Sequence, residues 1–158
     1  MPKQIINLRI NGEPRELAVE PNWTLLETVR EALGYTGSKE GCGTGDCGAC
    51  SMIVDGWLIT SCLMLAPQAD GRTITSIEGL ARNGDLHPVQ QAFIDAGGVQ
   101  CGFCTPGMVM AATALLQHNP KPTFEEIRNG LAGNLCRCTG YTKIFQAVEL
   151  AAQRMAAK

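Results

Sequence analysis

Residues 41–50 read GCGTGDCGAC, and this segment constrains the architecture of the first half of the chain more than any other. Three cysteines, Cys42, Cys47 and Cys50, alternate here with four glycines. Such a composition argues against a regular helix or strand, because glycine lets the backbone adopt positive φ and approach other atoms closely. The segment therefore predicts a loop that curls around a small inorganic centre.

The eight cysteines of the chain fall into two sets of four. The first set is spaced C-x4-C-x2-C with a distant fourth cysteine, and the second is a C-x2-C pair followed by a C-x-C pair. Four thiolates hold one [2Fe-2S] cluster, and the first spacing is that of plant-type ferredoxins. The predicted metal ligands are Cys42, Cys47, Cys50 and Cys62 for a first cluster and Cys101, Cys104, Cys136 and Cys138 for a second.

Zinc and disulfides are the alternative uses of these cysteines. A structural zinc site usually combines two C-x2-C pairs about 15–20 residues apart. The two C-x2-C pairs of this chain lie about 50 residues apart, and zinc would leave Cys42 and Cys62 unexplained. Disulfides are rare where thiols stay reduced. Gly43-x-Gly45-x-x-Gly48 resembles a dinucleotide fingerprint, but it follows no strand-to-helix turn and a predicted ligand interrupts it.

Net charge and hydropathy argue against nucleic-acid binding and against a membrane-spanning helix, and they favour a cytoplasmic location. The net charge of −2 argues against a general nucleic-acid binder, which would carry a basic surface. No run approaches the roughly 18 apolar residues that a membrane-spanning helix needs. The start, Met1-Pro2-Lys3, lacks the apolar core of a signal peptide. We therefore expect a cytoplasmic protein, although export on a signal-bearing partner would also be compatible.

The first half, residues 1–78, predicts a small mixed sheet with one helix. Apolar residues alternate with polar ones as in half-buried strands, and Asn-Gly and Asp-Gly pairs favour tight hairpin turns. The pattern is similar to a β-grasp domain. The signals in chain order are alternation from Ile6, a turn at Asn11-Gly12, alternation from Leu17, a helix from Thr24 to Gly34, a turn at Asp55-Gly56 and strands at Trp57–Cys62 and Thr73–Ile77.

The composition changes near residue 79, where residues 79–85 are expected to form a linker with little apolar content. Residues 86–158 then predict a helical domain, so the fold class is α+β. Pro88 suits the first turn of a helix, and Thr123-x-x-Glu126 is a capping box. The predicted helices run from Pro88 to Gly97, from Met108 to Gln117, from Thr123 past Leu131, and from Tyr141 to Ala156.

Two of these helices would begin directly after ligands of the second cluster. A helix N-terminus carries partial positive charge and unpaired N–H groups, which favour an anionic cluster. Three segments, Gly41–Cys50, Gln100–Gly107 and Gly133–Tyr141, resemble the signatures of the iron–sulfur subunit of the molybdenum hydroxylases. This family includes xanthine dehydrogenases, aldehyde oxidoreductases, carbon monoxide dehydrogenases and isoquinoline-type oxidoreductases. The resemblance covers nearly the whole chain.

The resemblance implies a fold and a position for the cofactors. In that family a plant-type ferredoxin-like domain precedes a four-helix bundle, and the bundle's cluster lies nearest the molybdopterin. Gln100 matches a glutamine that hydrogen-bonds the pterin. Cys138 matches a ligand beside the pterin amino group. The first cluster is expected to be the more solvent-accessible of the two.

The resemblance also implies partners. A large subunit would bind molybdopterin cytosine dinucleotide and oxidise the substrate. Electrons would then pass through the second cluster and the first to FAD in a medium subunit, or to a cytochrome. The assembly would be a hetero-oligomer, such as a dimer of heterotrimers, and no catalytic residue is expected on this chain. The alternative is a free-standing two-cluster ferredoxin that carries electrons without an enzyme partner.

Several other side chains are expected to be structural. His87 and His118 are the only histidines of the chain, and both cysteine sets are complete without them. We expect Trp57 to pack on its hairpin and Phe103 to shield its cluster.

Overall fold

The computed structural model describes residues 2–157, in which five strands form one sheet and the second half is helical. The sheet order is β2-β1-β5-β3-β4. Only the β1–β5 pair is parallel; β1–β2, β3–β5 and β3–β4 are antiparallel. The strands are β1 (Gln4–Ile10), β2 (Glu13–Val19), β3 (Ser51–Val54), β4 (Trp57–Thr60) and β5 (Thr73–Thr75); the helices are α1 (Leu25–Glu27), α2 (Pro88–Asp95), α3 (Thr105–His118), α4 (Phe124–Gly130) and α5 (Thr142–Ala156).

Both predicted hairpin turns are confirmed. Asn11 and Gly12 have φ of 53° and 88°, and Asp55 and Gly56 have φ of 49° and 86°. Positive φ at both central residues gives the turn a twist that matches the flanking strands. The expected linker contains a third turn of this kind at Asn83-Gly84, closed by paired backbone hydrogen bonds between the residues on either side of it.

The helix after Thr24 differs from the regular one that the sequence predicts. Thr24 and Glu27 form a capping box, and Gly34 ends the segment at φ 73° as expected. After one α-helical turn, however, residues 28–32 form a π-helix, in which the Leu33 N–H donates to the Thr28 carbonyl. The π-helix is rare and its wider backbone spacing leaves no simple period in the sequence.

The other boundaries follow local signals. The expected strand Thr73–Ile77 is shorter, because the chain turns into a 3₁₀ helix at Ile77–Gly79. The Thr123 capping box is formed, and the turn after α2 closes with Gly97 at φ 69°. Within residues 2–157, no helix is long and apolar enough to cross a membrane.

Two apolar cores lie on opposite sides of β3. Met52 and Val54 face the core beneath the sheet, whereas Ile53 belongs to the core of the helical half. All four residues of β3 are therefore buried. Helix α3 packs on β3 and β4, so the sheet and the helices share one buried boundary. This packing brings the end of the cysteine-rich loop close to the start of α3.

Candidate metal centres

The first cysteine set gathers around a loop whose shape depends on glycine. Gly43, Gly45 and Gly48 have φ of 67°, 85° and 68°, a region that residues with a Cβ rarely adopt. A methyl group on Gly41 would lie 2.8 Å from the Cys47 sulfur, closer than atoms pack. The loop therefore has no room for a side chain at Gly41, where it passes the Cys47 sulfur.

The four sulfurs of this set interact with one another. The pKa of Cys42 is lowered to about 6, mainly by hydrogen bonds from the side chain and the N–H of Thr44. The Thr44 nitrogen lies 3.4 Å from the Cys42 sulfur. Burial raises the pKa of Cys47, and burial with the neighbouring Cys50 sulfur raises the pKa of Cys62 to about 11. Burial, and after it the neighbouring sulfurs, therefore disfavour the thiolate form of Cys47 and Cys62.

The second set joins two loops that are far apart in sequence. The sulfurs of Cys101 and Cys138 lie 3.5 Å apart, and Cys104 and Cys136 interact directly. The N–H and the hydroxyl of Thr139 lie 3.4 Å and 3.1 Å from the Cys136 sulfur. These groups are donors of the kind that stabilise thiolate ligands.

The thiols of the second set also divide into acidic and weakly acidic members. Burial acts to raise the pKa of Cys136, but the hydrogen bonds from Thr139 outweigh it and bring the pKa to about 7. Burial raises the pKa of Cys104 to about 12. The Phe103 N–H lowers the pKa of Cys101, and the contact with the Cys101 sulfur raises the pKa of Cys138.

These two thiol sets fit a [2Fe-2S] cluster each. Each set supplies four cysteine sulfurs and an N–H donor aimed at one of them. Iron would hold all four thiols deprotonated, because metal ligation requires the thiolate. In residues 2–157, no three His, Cys, Asp or Glu side chains are arranged to hold a single metal ion. A diiron cluster does not need such an arrangement, since its four ligands are shared between two irons.

The two cysteine loops meet at a buried junction that the sequence did not reveal. The Leu135 N–H donates to the Cys47 carbonyl at 2.9 Å, and the Asn134 side chain donates to the Gly48 carbonyl at 2.8 Å. A methyl group on Gly107 would overlap the Gly48 carbonyl, so the start of α3 also touches this loop. No periodicity marks Asn134, which is polar and lies in a loop. Its sequence signal is its place in the segment Gly133–Tyr141, two residues before the predicted ligand Cys136.

The expected difference in exposure is wrong for this chain alone. Cys42 of the first set is exposed, but Cys50 and Cys62 are buried, whereas in the second set Cys101 and Cys138 are exposed and neither of the other two is buried. Cys50 lies directly before β3, which is buried throughout, and Cys62 lies two residues after β4. Gln100 is also exposed, directly before Cys101.

Trp57 and Phe103 make contacts that the sequence did not predict, whereas His87 and His118 lie at the start of α2 and the end of α3. Phe103 is about half exposed, and its ring reaches Gly41 of the first cysteine loop, so it lies between the two loops. Trp57 is 65% exposed and stacks on His118 with ring centroids 4.8 Å apart, which links the β4 hairpin to the end of α3. His87 caps α2, where its ring accepts the Val89 N–H.

Two family models match the chain. Residues 8–77 match the family described as "2Fe-2S iron-sulfur cluster binding domain", and residues 76–149 match "[2Fe-2S] binding domain". Together they cover the cysteine sets described above.

Similar proteins extend this result to nearly the full length. The chain is 54% identical to the nicotinate dehydrogenase small FeS subunit of Eubacterium barkeri, over 99% of both chains. It is 41% identical to an aldehyde oxidoreductase iron-sulfur-binding subunit of Escherichia coli K12, over 93% of this chain and 71% of the relative. A chain of quinoline 2-oxidoreductase from Pseudomonas putida 86 superposes with a TM-score of 0.95 at 42% identity, covering 99% and 98% of the two chains.

Proposed function

Because this chain belongs to the family of [2Fe-2S] iron–sulfur subunits of molybdenum hydroxylases, we propose that its two cysteine sets hold the two clusters of an electron-transferring subunit. The first cluster is held by Cys42, Cys47, Cys50 and Cys62, and the second by Cys101, Cys104, Cys136 and Cys138. The observation that carries this proposal is the convergence of eight thiols into two separate sets of four, each with N–H donors to sulfur.

A bound [2Fe-2S] cluster supplies reversible one-electron storage, and its potential depends on hydrogen bonds, charge and solvent access. The chain's residues set those conditions. Thr44 and Thr139 donate to ligand sulfurs, and Tyr141 accepts the Cys136 N–H through its hydroxyl at 2.9 Å. Gly41 lets the backbone pass close to the Cys47 sulfur.

The domain organisation proposed is a ferredoxin-like domain in residues 1–78, a linker in residues 79–85 and a helical domain in residues 86–158. The family matches meet at residues 76–77, which supports a boundary there. Helices α2 to α5 share one apolar core, in keeping with a four-helix bundle that holds the second cluster.

The proposed partners are a large subunit with molybdopterin cytosine dinucleotide and a medium subunit with FAD, or a cytochrome in its place. Gln100 and Cys138 would lie against the pterin, and electrons would enter at the second cysteine set and leave from the first. The exposure of Gln100, Cys101 and Cys138 supports this orientation, because it leaves one face of the second set open to a partner. The need for eight reduced thiols fits a reducing compartment such as the cytoplasm.

The class of substrate proposed for the complex is an N-heteroaromatic acid or base. Two of the similar proteins are named for nicotinate and quinoline, at 54% and 42% identity, and the one named for aldehydes is 41% identical over a smaller share of its length. The test compares the rates at which the purified complex oxidises nicotinate, quinoline and benzaldehyde. Faster oxidation of the two heterocycles than of benzaldehyde would support this substrate class.

Metal analysis and electron paramagnetic resonance test the function. The purified chain should contain about four irons and four acid-labile sulfides, as two diiron clusters require. Its dithionite-reduced form should give two distinct rhombic signals. About two irons with a single signal would contradict the proposal, and a colourless zinc protein would exclude it.

Copurification separates the subunit from a free-standing ferredoxin. A tagged chain expressed with its neighbouring genes should bring down a large molybdenum-containing protein. A chain that loads both clusters but stays monomeric in that experiment would favour the carrier.

A further inference from the structure

Asn134 is a buried polar residue placed between the two cysteine loops. Its side chain is 3% exposed, and its amide nitrogen donates to the Gly48 carbonyl at 2.8 Å and to the Ser51 hydroxyl at 3.2 Å. Its own N–H donates to the Leu131 carbonyl, which fixes the backbone at the end of the α4 segment. Buried amides of this kind are held by their partners, since losing one would leave a polar group unpaired.

The partner that Asn134 contacts is itself fixed. The Gly48 carbonyl also accepts the Ser51 hydroxyl at 2.7 Å and the Ser51 N–H at 3.1 Å. A carbonyl oxygen accepts only, so the side chain of Asn134 must direct its NH₂ group, not its oxygen, at Gly48. Aspartate, with the same shape, could not make that bond.

The bond from Asn134 lies beside a direct hydrogen bond between the two cysteine loops. Cys47, of the first set, accepts the Leu135 N–H on its own carbonyl at 2.9 Å. Leu135 is bonded covalently to Cys136, of the second set. One hydrogen bond therefore connects a residue of one set to the neighbour of a residue in the other.

We propose that Asn134 is a positioning residue that clamps the loop of residues 41–50 to the loop of residues 133–138. By holding Gly48, it keeps the Cys47–Leu135 hydrogen bond formed and fixes the separation of the two centres. This rests on the proposed function, because it takes the two cysteine sets as the ligands of two clusters. An electron leaving one centre reduces the other, and its transfer depends steeply on that separation and on the intervening bonds.

The test compares Asn134→Asp with wild type in the full-length chain carrying both clusters. The variant keeps the size of the side chain and removes the donor to Gly48. Amide hydrogen exchange at Leu135 should become at least about tenfold faster, because the variant weakens the hydrogen bond that protects this amide. A tenfold change in the opening equilibrium corresponds to about 1.4 kcal/mol. The magnetic splitting between the two fully reduced clusters should also change, because dipolar coupling falls with the cube of the distance.

The matched control is Asn129→Asp, which makes the same chemical change at an exposed residue of α4. It should leave both the Leu135 exchange and the splitting as in wild type. If Asn134→Asp does not fold, Asn134→Ala removes the same donor without adding a charge and carries the same two measurements.

The outcomes separate this inference from the proposed function. If an Asn134 variant holds about four irons and its magnetic splitting is unchanged, the positioning role is overturned, even if the Leu135 amide exchanges faster. The proposed electron-transfer function would still stand in that case. A wild-type chain with fewer than two clusters would instead overturn the proposed function, and this inference with it. A changed splitting at full iron content would support the clamp.

Discussion

Gly48 shows how one residue without a side chain permits the two halves to meet. Its φ is 68°, and a methyl group there would overlap the Gly133 carbonyl and the Asn134 amide. The close approach is what allows the Asn134 and Leu135 hydrogen bonds to form. Gly45 also combines positive φ with a close neighbour, but that neighbour is the flexible end of Leu63, whereas Gly48 meets a backbone carbonyl.

Gly48→Ala is therefore expected to lower the free energy of unfolding by about 3 kcal/mol, from strain at positive φ and from overpacking. The matched control is Gly71→Ala, which has φ 73° and open space around its Cα. It should cost only about 1–2 kcal/mol, for the dihedral alone. Thermal unfolding of both variants with clusters loaded measures the difference. Equal losses would mean that the junction tolerates a methyl group.

Replacing single ligands should separate the two clusters. Cys42→Ser is expected to abolish one of the two paramagnetic signals and Cys104→Ser the other, because each thiol belongs to a different set. Iron content should fall by about half in each variant, from about four to about two per chain. Loss of both signals in either variant would show that the two sites do not hold their metals independently.

At the scale of elements, cap and proline signals located the starts of α1, α2 and α4, whereas α3 begins three residues before the predicted Met108. Thr123 accepts the Glu126 N–H on its hydroxyl, and the Glu126 carboxylate accepts the Thr123 N–H in return. The Thr123 N–H and then its hydroxyl hold the pKa of Glu126 below its usual range. Both interactions occur within four residues, which is why the sequence predicts them.

Thr123→Ala should destabilise the protein by about 1 kcal/mol, since it removes an N-cap hydroxyl. Thr123→Ser keeps the hydroxyl and should lie within a few tenths of wild type. Thermal midpoints at neutral pH measure both. If the two variants lost the same stability, the methyl group of Thr123 and not its cap would be responsible.

At the scale of the whole molecule, the second cysteine set opens toward solvent among apolar side chains. Val99, Phe103 and Leu135 are between 38% and 54% exposed, and they neighbour Cys101 and Cys138 in the sequence or in the loop. Exposed apolar residues beside a functional site are typical of a surface that a partner covers. The large subunit is the partner proposed for it.

Leu135→Asp is expected to reduce copurification of the large subunit by about tenfold or more, because a charge would be buried in the interface. Ile5→Asp is the control, since Ile5 is 60% exposed on β1 in the other half of the chain. Iron content must stay at the wild-type level in both. A similar loss in the Ile5 variant would place the contact elsewhere.

The resemblance to molybdenum hydroxylase subunits and the electron-transfer function are confirmed by the similar proteins. Local signals also predicted the hairpins and the capped helices, because turns and caps depend on neighbouring residues. The π-helix at Thr28–Ala32 and the burial of Ile53 were not predicted. The burial of Ile53 depends on the helical half that packs against β3, whereas the π-helix leaves no simple period in the sequence.

Eight cysteines in two spacings specify two four-thiol sets and the family, since ligand identity and spacing are properties of the chain itself. How those sets lie relative to each other depends on folding. The contact between Gly48 and Asn134 and the Cys47–Leu135 hydrogen bond each join residues more than 35 positions apart. The exposure of Cys101 depends on a surface that the other elements leave open. Such contacts follow from the packing of α3 on β3, which brings the two loops together.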